Sequence, residues 1–241
     1  MISGRMLGCF AGLFSALLLV FGSGPFVSAQ EWKSGIDWPV PEVVDPGPAG
    51  PPAPVPSDAI VLFDGESLDQ WHQGDQWQIE EGVAIASGSD ITSRESFGDY
   101  QLHVEWATPL EGSGNSGIFL ANRYEIQILE SHERQPPPDG QEGSIYKQRP
   151  PLVNASRPPG EWQTFDIVFR APRFDDEGEL VTPAYVTVLH NEVLIQDHFE
   201  IQGSTAWDRP PTYEPHPVEQ PIRLQYHGDP VRFRAVWIRP L

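Results

Sequence analysis

The strongest constraint on the fold is an alternation of apolar and polar residues with a period of two. From Tyr100 to Trp106 the even-numbered residues are apolar or aromatic, whereas Gln101, His103 and Glu105 between them are polar. Successive side chains of a β-strand point to opposite faces, so this pattern predicts a strand with one core face and one polar face. The same alternation recurs in residues 124–128, 165–169 and 222–227.

The C-terminal part of the chain also favours strands. Residues 184–189 and 193–197 flank a short turn at 190–192 and predict a hairpin, and residues 231–238 predict a last strand, which Pro240 ends. No segment has the pattern of an amphipathic helix of three turns, and no βαβ spacing occurs. The sequence therefore predicts an all-β fold of two packed antiparallel sheets, as in a jelly roll.

The N-terminal residues 1–29 have the three parts of a cleavable signal peptide. Arg5 lies in a short charged region, an apolar stretch covers 7–21, and small residues at 27–29 precede the expected cleavage site. A membrane anchor is the alternative, but Gly, Ser and Pro at 22–25 end the apolar run well short of the roughly 20 residues that span a bilayer. We therefore expect an exported mature chain, periplasmic or extracellular, without membrane insertion.

Residues 30–58 form a Pro- and Gly-rich segment between the signal peptide and a domain at 59–241. The run at 45–54 is too rich in proline to form a helix or an inner strand. Trp32 and Trp38 are groups by which this segment could dock on the domain, and a loose polyproline-like tether fits the composition equally well. The sequence thus predicts a linker or an extended arm.

Charge and cysteine content exclude several classes of function. The chain carries 15 Lys and Arg against 34 Asp and Glu, a formal charge of -19, which repels phosphate backbones and makes nucleic acid a poor partner. Cys9 is the only cysteine and lies in the expected signal peptide, so we expect neither a disulfide nor a thiol nucleophile in the mature protein. The sequence contains no phosphate-binding loop, nucleophile elbow or dinucleotide fingerprint.

Polar side chains two residues apart recur along the predicted strands. The pairs are His103 with Glu105, Glu125 with Gln127, and Gln225 with His227. Members of a pair share one face of their strand, so the pairs form a site if those faces converge. The alternative is that they are only the solvated face of a sandwich. Glutamine and histidine are uncommon choices for such a face, and neighbouring aromatic residues suit the stacking of sugars.

Two Gly-rich loops add further candidates. Residues 111–117 include Asn115 and lead into a predicted strand, where small residues let the backbone approach a ligand closely. Residues 140–147 end with Tyr146 and Lys147, a hydroxyl donor and a cation able to stabilise an oxyanion. Either loop is equally compatible with an ordinary surface turn.

Six short motifs occur in order along the domain. They are Phe63–Trp71 (FDGESLDQW), Asn115–Ile118 (NSGI), Tyr124–Leu129 (YEIQIL), Gly143–Tyr146 (GSIY), Gly160–Gln163 (GEWQ) and Leu224–Gly228 (LQYHG). Together they resemble the 3-keto-disaccharide hydrolase family over about residues 59–241. The resemblance implies a concanavalin A-like jelly roll and a small carbohydrate substrate.

Three residues depart from the pattern of that family. Tyr226 stands where Asp is common, Glu192 where a hairpin Gly is common, and Ala235 where Asn is common. The first departure bears on activity if the Asp of relatives supports a catalytic group or a metal.

The family's substrate, a glycoside already oxidised at C3, implies cleavage through removal of the acidified C2 proton, with or without later addition of water. On that basis Glu125 is the candidate base, with His227 second, and Lys147 or Arg123 is expected to stabilise the enolate. A divalent ion held by Glu125, Gln127 and His227 is an alternative, for which oxygen ligands favour calcium or magnesium and histidine favours manganese or zinc. The expected substrate-binding residues are Asn115, Arg123, Gln127, Tyr146, Gln225 and Glu105.

Two functions of other classes also fit the sequence. Sandwiches of this kind include non-catalytic, lectin-like carbohydrate-binding modules, and an adhesion or structural domain attached through its Pro-rich arm is the third possibility. Turnover of a keto-sugar would separate the enzyme from both.

Overall fold

The computed structural model describes residues 1, 2, 4 and 30–241. The predicted signal peptide, residues 1–29, therefore lies almost entirely outside the described residues. Within the described part of the chain, no helix is long and apolar enough to cross a membrane. The strands of this part are numbered β1 to β17 in chain order.

The larger sheet has eight strands, all paired antiparallel. They are β2 (Ile60–Phe63), β4 (Gln78–Glu80), β5 (Val83–Ile85), β7 (Tyr100–Ala107), β11 (Gln163–Arg170), β14 (Tyr185–His190), β15 (Val193–Glu200) and β17 (Arg232–Pro240). Their order across the sheet is β15-β14-β11-β7-β17-β5-β4, and β2 also pairs with β17.

The smaller sheet has five antiparallel strands. They are β3 (Trp71–His72), β6 (Ile91–Ser93), β8 (Ser116–Leu120), β9 (Tyr124–Ile128) and β16 (Arg223–Leu224), in the order β3-β6-β16-β8-β9.

Shorter elements complete the architecture. They are the parallel pair β1 (Glu42–Val43) with β10 (Val153–Asn154), the antiparallel pair β12 (Arg173–Phe174) with β13 (Leu180–Thr182), and 3-10 helices at Gly74–Gln76 and Pro138–Gly140.

The core lies between the two sheets and is built by the alternation. Leu102 and Val104 of β7 and Ile126 of β9 are fully buried in one hydrophobic cluster. The rings of Tyr124 on the smaller sheet and Phe169 on the larger one are 6.0 Å apart at their centroids and join the layers. The prediction of an all-β jelly-roll sandwich is confirmed.

One predicted strand is much shorter than expected. Residues 222–227 alternate as a strand does, but β16 covers only Arg223 and Leu224. Gln225 still donates its N–H to the carbonyl of Gly117 at 3.0 Å, whereas the next N–H, of Tyr226, is bound by Asp90 Oδ1 at 2.9 Å. A side-chain carboxylate thus replaces the neighbouring strand as acceptor, which ends the ladder.

The Pro-rich arm lies against the domain. Its β1 pairs with β10, and the N–H of Ala53 donates to Glu105 Oε1 at 2.7 Å. Arg157 Nε donates to the carbonyl of Gly47 at 2.9 Å. Proline cannot donate a backbone hydrogen bond, so the carbonyls and the remaining N–H groups of the arm carry this docking.

Two of the three departures from the family pattern fall at left-handed backbone. Glu192, in the β14–β15 turn, has a φ of 69°, and Ala235, in the irregular part of β17, has a φ of 47°. Glycine and asparagine tolerate this conformation better than other residues, which explains why Gly and Asn suit these positions. Tyr226 packs against the hydrophobic core.

Candidate active site

The candidate site lies on one face of the smaller sheet, where three neighbouring strands place polar residues in rows. Strand register pairs Arg223 with Phe119, and Phe119 with Glu125, so these three residues form one row across β16, β8 and β9. Because side chains alternate, residues two positions further along each strand lie on the same face.

The next two rows follow from this register. Gly117 pairs with Gln127 and accepts the N–H of Gln225, and beyond them Asn115 Nδ2 lies 3.2 Å from His227 Nδ1. The three polar motifs around residues 115, 125 and 225 thereby meet on a single face.

This face forms the floor of a cavity of about 250 Å³. Small-molecule clefts commonly measure roughly 300 to 1,000 Å³, so this one suits a single sugar ring better than a long oligosaccharide. Its lining residues are Asn115, Phe119, Glu125, Gln127, Tyr146, Thr205, Ala206, Trp207, Arg223, Gln225 and His227.

Glu125 is the most perturbed acid of the cavity. Its side chain is only 5% exposed, and burial raises the pKa of its carboxyl to about 8, against a lowering by the charge of Arg223. No hydrogen bond to this carboxylate forms within residues 30–241. Gly117 makes room for it, because a Cβ at that position would lie 2.5 Å from Glu125 Oε1. Position 117, diagonally across from Glu125 on β8, must therefore be glycine for Glu125 to lie where it does.

Arg223 is the cation of the cavity and is held from three sides. Its guanidinium donates to Asp90 Oδ2 at 2.5 Å and to Asn122 Oδ1 at 2.8 Å. Its Cζ lies 3.5 Å from the ring centroid of Phe119, a cation-π contact. These contacts leave a fixed positive charge beside Glu125.

His227 lies at the exposed end of the cavity. If Asn115 Nδ2 donates to His227 Nδ1, the neutral imidazole carries its proton on Nε2. Asn115 is itself held by Asp229, whose Oδ2 accepts the Asn115 N–H at 2.9 Å and the Ser113 hydroxyl at 2.6 Å. Burial tends to raise the pKa of Asp229, but these hydrogen bonds together lower it, so this carboxylate stays charged.

Gln127 and Tyr146 supply neutral hydrogen-bonding groups. Gln127 Nε2 donates to the carbonyl of Gly140 at 3.3 Å, and Gln127 Oε1 is buried without a partner among the described residues. Such an acceptor is costly unless a ligand hydroxyl satisfies it. Burial, and then the charge of Glu125, raise the pKa of Tyr146 to about 12, so its hydroxyl remains a donor.

Six of the predicted site residues line this cavity. They are Asn115, Glu125, Gln127, Tyr146, Gln225 and His227. Both members of the Glu125 and Gln127 pair are buried, so these two are not part of a merely solvated face.

Lys147 is not among the lining residues. Its Nζ donates to the carbonyls of Trp32 and Trp207, at 2.6 and 3.1 Å, and to Glu31 Oε1 at 3.0 Å. All three N–H donors of the ammonium are thus occupied, and the expected role in stabilising an enolate does not fit this placement.

Glu105 and Arg123 also lie elsewhere. Glu105 is on β7 of the larger sheet, where Arg234 Nε donates to its Oε2 at 2.6 Å, so the His103 and Glu105 pair does not share a face with the other two pairs and Glu105 does not line the cavity. The period of two specifies a face but not which sheet it belongs to. Arg123 does not line the cavity, and its carbonyl accepts the N–H of Thr205 at 2.9 Å.

The cavity does not fit a divalent cation well. Among the described residues no group of three or more His, Cys, Asp or Glu side chains is placed to hold a metal ion. The suggested ligands Glu125, Gln127 and His227 share the cavity with the guanidinium of Arg223, which opposes a second cation.

Five lining residues were not predicted from the sequence, Phe119, Thr205, Ala206, Trp207 and Arg223, and two of them, Arg223 and Trp207, bear on the chemistry of the cavity. The first has a clear signal, because Arg223 has the same parity as Gln225 and His227 in one alternating segment. Trp207 lies in a Pro-rich loop without periodicity, and only the fold brings its half-exposed ring, 49% accessible, to the cavity.

The chain is similar to a known family and to solved structures. The model of the 3-keto-disaccharide hydrolase family, described as a 3-keto-alpha-glucoside-1,2-lyase-like domain, matches residues 58–239. A structure of a provisionally assigned glycosyl hydrolase from Parabacteroides distasonis is 40% identical, with a TM-score of 0.75, over 86% of this chain and 95% of that one.

A second provisionally assigned glycosyl hydrolase of Parabacteroides distasonis shares the fold at 20% identity and a TM-score of 0.57, over 76% of this chain and 99% of that one. No curated protein matches the chain. Because the family model covers most of the chain and includes every residue that lines the cavity, the chain belongs to the family of 3-keto-alpha-glucoside-1,2-lyase-like domains.

Proposed function

We propose that the protein cleaves 3-keto-glycosides by elimination, with Glu125 as the base. The observation that carries this proposal is a buried, unpaired carboxyl with a pKa of about 8, placed beside a fixed guanidinium in a cavity the size of a sugar ring. A base with a pKa near the working pH is well matched to removing a proton next to a ketone.

In the proposed reaction Glu125 takes the C2 proton, and the C–H electrons form an enolate whose negative charge lies on the C3 oxygen. Arg223 stabilises that oxygen. The enolate then re-forms the C3 ketone, a double bond forms between C1 and C2, and the C1–O bond breaks. His227 at the cavity mouth donates a hydrogen bond from Nε2–H to the departing oxygen, which takes its proton from water, and Glu125 then releases the C2 proton to water. Water that adds to C1 completes a net hydrolysis, and its absence leaves the lyase product.

Other lining groups bind the sugar. Gln127 Oε1, Gln225 and the Tyr146 hydroxyl hydrogen-bond its hydroxyls, and the exposed ring of Trp207 stacks on the sugar face. From the signal-peptide pattern of residues 1–29 we also propose that this reaction takes place outside the cytoplasm.

The test is turnover of a 3-keto-disaccharide in deuterium oxide, with Glu125→Gln as the variant. We expect the wild type to release the leaving sugar and to exchange deuterium into C2, and Glu125→Gln to lose about 100- to 10,000-fold in kcat. As a base, Glu125 must be ionised, so kcat/KM rises with pH up to about 8.

The matched control is Glu105→Gln, a buried glutamate on the other sheet, compared at equal folded fraction. It is expected to keep its turnover and pH profile. Sugar binding without turnover by the wild type would contradict the proposal and favour a lectin-like module.

A further inference from the structure

A second cavity of about 470 Å³ lies between the Pro-rich arm and the loop before residue 140. The arm contributes residues 31–38 to it, including Trp32 and Trp38, and the loop contributes residues 137–139. Residues 31–38 lie outside the family match, which begins at residue 58. This groove is therefore a feature of the present chain that the family assignment does not describe.

The groove adjoins the candidate active site through shared walls. The N–H of Trp32, in the groove, donates to the carbonyl of Trp207, in the active-site cavity, at 3.0 Å. Lys147 lines the groove and follows Tyr146 in the chain, and Tyr146 lines the cavity. The Nζ of Lys147 bridges the carbonyls of Trp32 and Trp207, and this contact is called the clasp. The two cavities are separated by this one layer of residues.

Charged groups of both cavities act on the same side chain, Tyr146. After burial itself, the groups that raise the pKa of Tyr146 are Glu125 in the cavity and Glu31 and Asp139 in the groove. Tyr146 is thus within electrostatic range of both the base of the proposed reaction and acidic residues of the groove.

The lining of the groove has the chemistry of a site for a neutral hydroxylated ring. Trp32, Trp38 and Pro137 supply flat or apolar surfaces, and Asp37 and Asp139 supply acceptors for hydroxyl groups. Trp38 Nε1 is buried and lacks a hydrogen-bond partner within residues 30–241. The acidic side chains disfavour an anionic group such as a phosphate or a uronate.

We propose that the arm forms the subsite for the leaving sugar of a disaccharide substrate, with Trp32 and Trp38 as its walls. This inference rests on the proposed elimination at Glu125. It assigns to the arm a role in substrate selection, because a disaccharide that occupies both spaces passes over the rim at Trp207, whose exposed ring lines the cavity and whose carbonyl accepts the N–H of Trp32.

The test compares two substrates, a 3-keto-disaccharide and the methyl 3-keto-glucoside that lacks the second sugar, on full-length mature protein. Trp32→Ala, and separately Asp37→Ala, should raise KM for the disaccharide about three- to tenfold and leave the methyl glycoside unchanged. Trp207→Ala, in the cavity, should raise KM for both substrates. Val40→Ala, at an exposed arm position outside the groove, should change neither.

The exposed Asp37 variant keeps the test valid if Trp32→Ala loosens the arm. Equal KM changes for both substrates, or no change in any groove variant, would overturn the subsite. Failure of the wild type to cleave either keto-sugar would instead overturn the proposed reaction, so the two failures are distinguishable. Inhibition by the free leaving sugar, weakened in Trp32→Ala but not in Val40→Ala, is the expected independent readout.

Discussion

The two sheets each present a buried glutamate on a polar face, and the two glutamates are opposites. Glu125 on the smaller sheet is 5% exposed and Glu105 on the larger one 1% exposed, so solvent accessibility alone does not separate them. Burial raises the pKa of Glu125 to about 8. Burial also acts to raise the pKa of Glu105, but hydrogen bonds from His103, Ala53 and Arg234 outweigh it and the net shift is downward.

The difference teaches that hydrogen-bonding partners, and not solvent accessibility alone, separate a scaffold acid from the proposed base. The charged groups around Glu105 are all paired. Arg234 Nε binds Glu105 Oε2, and His103 Nδ1 lies 2.8 Å from Asp166 Oδ1. Around Glu125 a neighbouring glycine leaves space in place of a partner. A saturated network stabilises one conformation, whereas an unsaturated group retains reactivity and is costly to stability.

The largest expected contrast is in the pH dependence of stability. The folded pKa of Glu125, about 8, lies above its ordinary 4.5, so ionisation is disfavoured in the folded state and stability falls between these pH values. Glu125→Gln should match the wild type near pH 4 and exceed it by about 3 to 5 kcal/mol at pH 8 and above.

His103 provides the opposite case on the larger sheet. Burial alone would lower its pKa, but Asp166 and Glu105 raise it from 6.5 to about 9, so its stabilising contribution is complete below 6.5 and lost as the pH rises through 9. His103→Gln should be less stable than the wild type at pH 6 and approach it at higher pH. Urea unfolding at several pH values measures the free energy of unfolding of Glu125→Gln and His103→Gln. A difference from the wild type that is the same at every pH would contradict both predictions.

The next contrast is between the two arginines. Arg234→Ala leaves Glu105 buried with one partner fewer and should cost about 3 kcal/mol of unfolding free energy. Arg223→Ala breaks a pair whose side chains are 23% and 31% exposed and should cost about 1 kcal/mol, but it should reduce keto-sugar turnover strongly. Thermal unfolding and turnover are measured on both variants. Equal losses of stability would show that the two arginines contribute equally to the free energy of unfolding, against this prediction.

A smaller effect is expected at Gly117, the diagonal neighbour of Glu125 on β8. Gly117→Ala places a Cβ against the carboxylate and should lower kcat by about tenfold or more through displacement of the base. Gly140→Ala is the matched control, since its Cβ would lie 3.7 Å from Tyr146, an ordinary contact. Unchanged kcat in Gly117→Ala would mean that the position of the carboxylate does not matter.

The smallest effect concerns the β14–β15 turn on the larger sheet. Glu192→Gly should stabilise the protein by about 0.5 to 1 kcal/mol, because glycine adopts the φ of 69° without strain. Asp197→Gly, at an exposed position inside β15, should destabilise by a similar amount. Both should leave turnover unchanged, as expected of scaffold positions, and a loss of turnover in Glu192→Gly would extend the site to this sheet.

Local pattern predicted the strands and the faces well. The segment 124–128 was predicted as a strand and is β9, because an apolar face that packs in the core enforces a period of two. The same rule predicted that Glu125 and Gln127 share a face.

Strand order could not be predicted, because it depends on contacts far apart in sequence. The alternation around His103 resembles that around Glu125, yet register places them on different sheets. The docking of the arm and the diversion of Lys147 to it depend on backbone carbonyls, which have no residue-specific signal. Side-chain type alone therefore suggested a catalytic lysine where the fold has a clasp.

The clasp has a practical consequence, because the chain contains only two lysines, Lys33 and Lys147. Lys33 is exposed on the arm, whereas the amine of Lys147 is buried with all its donors engaged. An amine-reactive label therefore modifies Lys33 at once and Lys147 only when the arm lifts. The ratio of the two labelling rates, read by mass spectrometry, reports the opening equilibrium of the arm without any engineered probe.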